Sequence, residues 1–143
     1  MQHPERFICI SYSKIDFLIP NDDVHTAVSL KEFDVEQMCG PMSGIYNFDE
    51  IAMLFKEPKV EKNVHTMIML KKKDSSQISF ITTSECRVCV IPLENFSLFS
   101  DYYAQSLFHL GILACNFEND RMRYLLDVRK LIDYVNDGVE GEI

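Results

Sequence analysis

The chain has 143 residues, the length of one ordinary domain, and a domain of that size buries about 68–70% of its unfolded surface without metal or disulfide staples. Apolar residues make up 47% and charged residues 25%, which excludes wholesale disorder. A net charge of −8, from 22 acidic against 14 basic residues, repels phosphate backbones and excludes nucleic acid as an expected partner.

The first element is Phe7 to Tyr12, then Ser13-Lys14, then Ile15 to Ile19. Two β-rich runs joined by a short polar link predict a hairpin, and Pro20 closes its second strand. Asn21-Asp22-Asp23 is a turn, and Val24 to Val28 begins another strand; Ser29 to Met38 has no clear pattern. Cys39 to Gly44 is dense in turn formers and leads into a short strand, Ile45 to Phe48. Phe48, Ile51, Leu54 and Phe55 then fall at helical spacing, with Asp49 and Glu50 suited to a first helical turn. Lys56 to Asn63 reads as a linker. His65 to Leu70 and Ile78 to Thr83 are strands around a turn at Lys71 to Gln77, and Cys86 to Ile91 is a third, closed by Pro92.

Phe96 to Gln105 is a connection rich in Phe and Tyr. Leu107 to Phe117 has β character, Glu118-Asn119-Asp120 turns the chain, and Met122 to Leu126 follows. Asp127 caps a last helix through Val135, whose apolar side is Val128, Leu131, Ile132 and Val135. The expected organisation is one domain, residues 1–135, with an acidic tail at 136–143. The expected class is mainly β, with a short middle helix and a C-terminal helix; no βαβ alternation supports a nucleotide fold.

No stretch approaches the ~20 apolar residues that span a bilayer. Met1-Gln2-His3-Pro4-Glu5-Arg6 lacks the order of a signal peptide. Five scattered cysteines fit reduced thiols rather than a disulfide framework, so the expected location is cytoplasmic.

Cys86-x-x-Cys89 is the one spacing that suggests thiol or zinc chemistry. It sits in a β run, where residues an odd number apart face opposite ways, and no second pair completes a zinc site. The histidines His3, His25, His65 and His109 are dispersed; His65 and His109, at apolar strands, read as structural, and no nucleophile elbow, P-loop or HExxH is present. None of the five glycines forms a phosphate cradle. The acid pairs Asp22-Asp23 and Asp49-Glu50 read as solvated, and Met67 and Met69 as one face of a core, with a protein-binding surface shared with the segment Phe96 to Tyr103 as the alternative. No catalytic residue, cofactor or metal is expected.

The order of elements resembles the CheW-like domain, found in bacterial chemotaxis coupling proteins and at the regulatory end of the histidine kinase CheA. Phe7 to Val24 resembles that family's opening hairpin, and Met67 to Val90 its middle strands. Gln37 to Phe48 is similar to its N-L-R-G-x-x-x-P-V-x-D-L segment: Gln37 stands at the Asn place, Cys39 at the Arg place, Gly40 keeps the Gly, Gly44 replaces Pro, and Asn47 replaces Asp. Arg123 to Ile132 resembles its closing L-L-D-x-x-K-L motif. The resemblance implies two interlocked five-stranded SH3-like β-barrels without catalytic residue or cofactor. It implies an adaptor that holds a histidine kinase regulatory domain and a chemoreceptor signalling tip, with Gln37, Cys39, Gly40 and Asn47 at interaction positions. Exchanging a guanidinium for the Cys39 thiol removes five donors and a charge. That departure favours, as the alternative, a kinase-binding modulator without receptor coupling. The sequence leaves oligomeric state open.

Overall fold

Strands β1 (Pro4–Ser11) and β2 (Ile15–Pro20) form the expected antiparallel hairpin, in register from Phe7↔Pro20 to Ser11↔Asp16. The computed structural model describes residues 4–31, 39–40, 43–53, 64–72, 77–97 and 111–141. Both faces of the hairpin are apolar because both are covered. Ile8, Ile10, Phe17 and Ile19 enter one core cluster, whereas Phe7, Cys9 and Leu18 enter another. A continuous apolar run is the signature of a strand buried on both sides.

A 3₁₀ turn at Asn21–Asp23 leads into β3 (Val24–Lys31). Then come β4 (Ile45–Asn47), helix α1 (Phe48–Met53), β5 (Val64–Leu70), β6 (Ser79–Thr82) and β7 (Glu85–Pro92). Strands β8 (Ile112–Glu118) and β9 (Arg121–Leu126) and helix α2 (Val128–Gly141) complete the chain. Asn119 and Asp120, at φ 54° and 61°, link β8 to β9 through a two-residue turn. Positive φ at both central positions suits the right-handed twist of the flanking strands, and Asn and Asp tolerate it well.

The molecule is mainly β, in two sheets. The first runs β7-β1-β2-β9-β8, the second β3-β5-β6-β4. Among the described residues the second sheet has four strands rather than five, and neither sheet closes into a ring. Two pairings are parallel: β2 with β9, and β4 with β6. One core binds the two sheets together. Ile10, Phe17 and Ile19 of the first sheet pack in the same cluster as Ile68, Leu70 and Phe80 of the second, with Phe48 and Ile51 of α1 and Val128, Leu131 and Ile132 of α2. The ring of Phe48 meets Phe17 and Phe80 edge-on, each at 5.3 Å between centroids.

Two sequence expectations change. Helix α2 runs to Gly141 rather than ending at Val135, so the described part of the expected tail is helical. Its apolar spacing continues through Val139, and the one poor helix former there, Gly138, costs only about 1 kcal/mol. Met67 and Met69 are half-buried, on the face opposite buried Ile68 and Leu70, rather than in the core. The expectations for residues 54–63 and 98–110, like those for His3 and His109, fall outside the described residues.

Candidate functional site

Of the four motif positions, Asn47 ends β4, Cys39 and Gly40 precede that strand, with Gly40 bridged to Ile45, and Gln37 lies outside the described residues. The Gly40 amide donates to the Ile45 carbonyl at 2.8 Å, folding the turn back on β4. Gly44, at φ +70°, lies so close to the next strand that an added Cβ would stand 2.4 Å from the Gln77 carbonyl oxygen. Neither the family's proline, fixed at φ near −65°, nor any other side chain fits this geometry. The Asn47 side-chain oxygen accepts the Asp49 amide at 3.1 Å and so caps α1. Cys39 is half-buried. Burial, then the nearby Glu50 charge, pushes its thiol pKa up and keeps it neutral.

Asp49 departs from its reading as a solvated acid. Its carboxylate accepts the Tyr12 hydroxyl at 2.7 Å, the Thr82 hydroxyl at 2.7 Å, the Thr83 hydroxyl at 2.6 Å and the Thr83 amide at 3.1 Å. Tyr12 follows β1 of the first sheet, whereas Thr82 ends β6 of the second. One carboxylate therefore ties the two sheets to the capped end of α1. Desolvation, helped by the Asp49 charge, pushes the Tyr12 pKa far up, so the phenol stays a donor.

A second cluster centres on Asp16, fully buried in β2. Arg121 reaches it at 2.6 Å and also donates to the carbonyls of Tyr12 at 2.6 Å and Ser13 at 3.0 Å. Arg123 adds a longer contact at 3.4 Å. Burial, the largest single influence, would raise the Asp16 pKa, but hydrogen bonds from Arg121, Ser11 and Arg123 together with the Arg121 charge outweigh it and hold the carboxyl below its usual range. Two basic residues alternating on β9 meet the one acid on its parallel neighbour, which pins the β2–β9 register Ile15↔Met122, Asp16↔Arg123.

These clusters border a surface concavity of about 420 Å³ lined by Ser11, Tyr12, Ser13, Ser84, Glu85, Arg87 and Arg121. Another, of about 360 Å³, lies on the seam between the sheets, among Asp22 and Asp23, Leu70 to Lys72, and Leu126 to Arg129. Its walls are held by the Lys71 amide on the Asp23 carbonyl at 2.9 Å and by the Arg129 guanidinium on the Lys71 carbonyl. Asp22 and Asp23 are exposed, in line with their reading as solvated acids.

The sulfurs of Cys86 and Cys89 diverge, as strand geometry requires: Cys86 packs on the large cluster and Cys89 on the smaller. Burial pushes the Cys86 thiol up to about 12. Among the described residues no three His, Cys, Asp or Glu gather as a metal site, and no helix is long and apolar enough to cross a membrane. The sequence reading missed Asp16, Asp49, Arg121 and Tyr12. The available signal for Asp16 was a lone acid inside the apolar run Ile15 to Ile19; nothing local marked Asp49, whose donors come from Tyr12, Thr82 and Thr83.

No protein-family model matches the chain, and no curated protein matches it in sequence. Among solved structures the fold is similar to that of the scaffolding protein TtCheW from Thermoanaerobacter tengcongensis, with a TM-score of 0.57 and 11% identity, over 87% of this chain and 90% of that one. At that identity the likeness is one of fold.

Proposed function

We propose that the chain is a non-enzymatic adaptor in chemotaxis-type signal transduction, binding a CheA-type histidine kinase regulatory domain and a chemoreceptor signalling tip by separate faces. The observation that carries this reading is the fold shared with a scaffolding protein over 87% of the chain. The two polar clusters support it, because the Asp16 and Asp49 carboxylates are spent on joining elements of their own chain. What remains for a partner is surface: the seam concavity and the segment that bears Cys39 and Gly40 and leads through β4 to Asn47, with Gln37 before it in sequence. A standard contact of this kind buries about 800 Å² on each partner.

A second reading has a specific observation in its favour. Cys39 is neutral where the family carries a guanidinium, and Asn47 is engaged in capping α1. Both favour a kinase-binding modulator that does not couple receptors. The test titrates the labelled chain against a CheA regulatory domain and, separately, against a receptor signalling tip. Micromolar or tighter binding to both supports the coupling adaptor. Kinase binding alone selects the modulator, and binding to neither removes the chemotaxis role.

A further inference from the structure

We propose that Cys9 and Cys89, distant in sequence, form a redox-sensitive dithiol that a hydroperoxide converts into a disulfide between β1 and β7. The two lie on neighbouring antiparallel strands. In the ladder Cys9 faces Arg87 and Cys89 faces Phe7, so the cysteines are diagonal neighbours on one face. That face is shared in the packing as well: Cys9 belongs to the cluster with Phe7, Leu18 and Ile91, and Cys89 packs against it. Cys86 projects from the opposite face of β7, and so the tertiary partner of Cys89 is Cys9, not its neighbour in the C-x-x-C spacing.

The sulfurs interact. The neighbouring Cys89 thiol lowers the Cys9 pKa to about 7 against the opposing effect of burial, and the Ser11 hydroxyl, 3.5 Å from the Cys9 sulfur, adds to this. Cys89 is shifted up in return, by the neighbouring Cys9 and by burial. The pair therefore loses one proton readily and holds the second, which leaves one thiolate beside one thiol. Cys9 is 1% exposed, so a small oxidant reaches the pair at half-buried Cys89, which carries the charge when the two sulfurs exchange their one proton.

The step balances. The thiolate attacks a peroxide oxygen, an S–O bond forms, the O–O bond breaks, and the departing alkoxide or hydroxide takes the proton of the remaining thiol. The second sulfur attacks the sulfenic sulfur; the S–S bond forms, the S–O bond breaks, and hydroxide leaves as water on taking a proton from solvent. Two electrons pass from the two sulfurs to the peroxide.

Diagonal Cα atoms stand about 7–8 Å apart in such a ladder, while a disulfide prefers about 4.4–6.8 Å, so closure asks β7 to slide by roughly 1–2 Å. β7 stands at the end of the described sheet order, and its other face carries Val88 and Val90, which are 60% and 55% exposed.

The test exposes the full reduced chain to hydrogen peroxide, alkylates the free thiols and maps the digest without reductant. The expected result is an intact mass lower by two hydrogens before alkylation, a Cys9 peptide joined to a Cys89 peptide, and reversal by dithiothreitol. Cys86→Ser keeps the link, and Cys89→Ser, at a half-buried site that tolerates a hydroxyl, abolishes it. A link from Cys89 to any other cysteine, or oxygen addition without a link, overturns the proposal, and the wild-type map decides this even if Cys9→Ser does not fold.

Discussion

At the scale of single residues, two carboxylates carry much of the specificity of this fold, and each makes a prediction. Asp49→Ala would strand the Tyr12 and Thr82 hydroxyls and the Thr83 donors in a half-buried site. An unsatisfied buried donor costs about 1–3 kcal/mol, so the variant should lose on the order of 3 kcal/mol, read as a lower urea midpoint at unchanged slope. Arg121→Met leaves Asp16 buried without its shortest charged contact, and breaking a buried pair costs about 3–5 kcal/mol. The pH dependence follows from the depressed Asp16 pKa. A carboxyl with a lower pKa folded than unfolded contributes its stability above the unfolded value, ~3.9, and loses it as pH falls through the folded value. Urea midpoints of the wild type should therefore drop below about pH 4, and those of Arg121→Met should drop less. Asp16 was open to suspicion in the sequence as an acid in an apolar strand. Asp49 was not, because its donors come from residues as far off as Tyr12 and Thr83, and a local pattern contains no such information.

At the scale of elements, boundaries set by turn chemistry were legible. Pro20 and Pro92 end β2 and β7, and the Asn119-Asp120 pair makes the β8–β9 hairpin. The end of α2 was less so, because an acidic stretch with one glycine is compatible with tail or helix. If the helix passes through Gly138, Gly138→Ala should stabilise the chain by about 1 kcal/mol and add to its helical circular dichroism. An unchanged signal would place the end of the helix earlier. Gly111 shows the opposite demand. At φ +79° it lets the chain pass α2, and an added Cβ would lie 2.6 Å from the Asp127 carbonyl and 2.7 Å from the Leu131 amide. Gly111→Ala should cost more than ~1 kcal/mol in denaturant unfolding, since alanine resists this conformation as well as the contact.

At the scale of the whole molecule, the two sheets share one hydrophobic cluster and are tied by Asp49. They should therefore unfold as a unit. Far-ultraviolet circular dichroism and tyrosine fluorescence, the chain having no tryptophan, should report one coincident transition in urea. Two separated transitions would mean that the sheets are independently stable. By itself the sequence determined the β-rich class, the opening hairpin, the positions of the two helices and the divergence of Cys86 from Cys89, because these rest on periodicity and turn chemistry within a few residues. Only the tertiary structure decided that β2 pairs with β9 and β4 with β6, that Asp16 meets Arg121, and that Cys89 meets Cys9. Parallel pairing and buried polar contacts join residues distant in the chain, and which partners meet is set by how both sheets share one core, not by any local pattern.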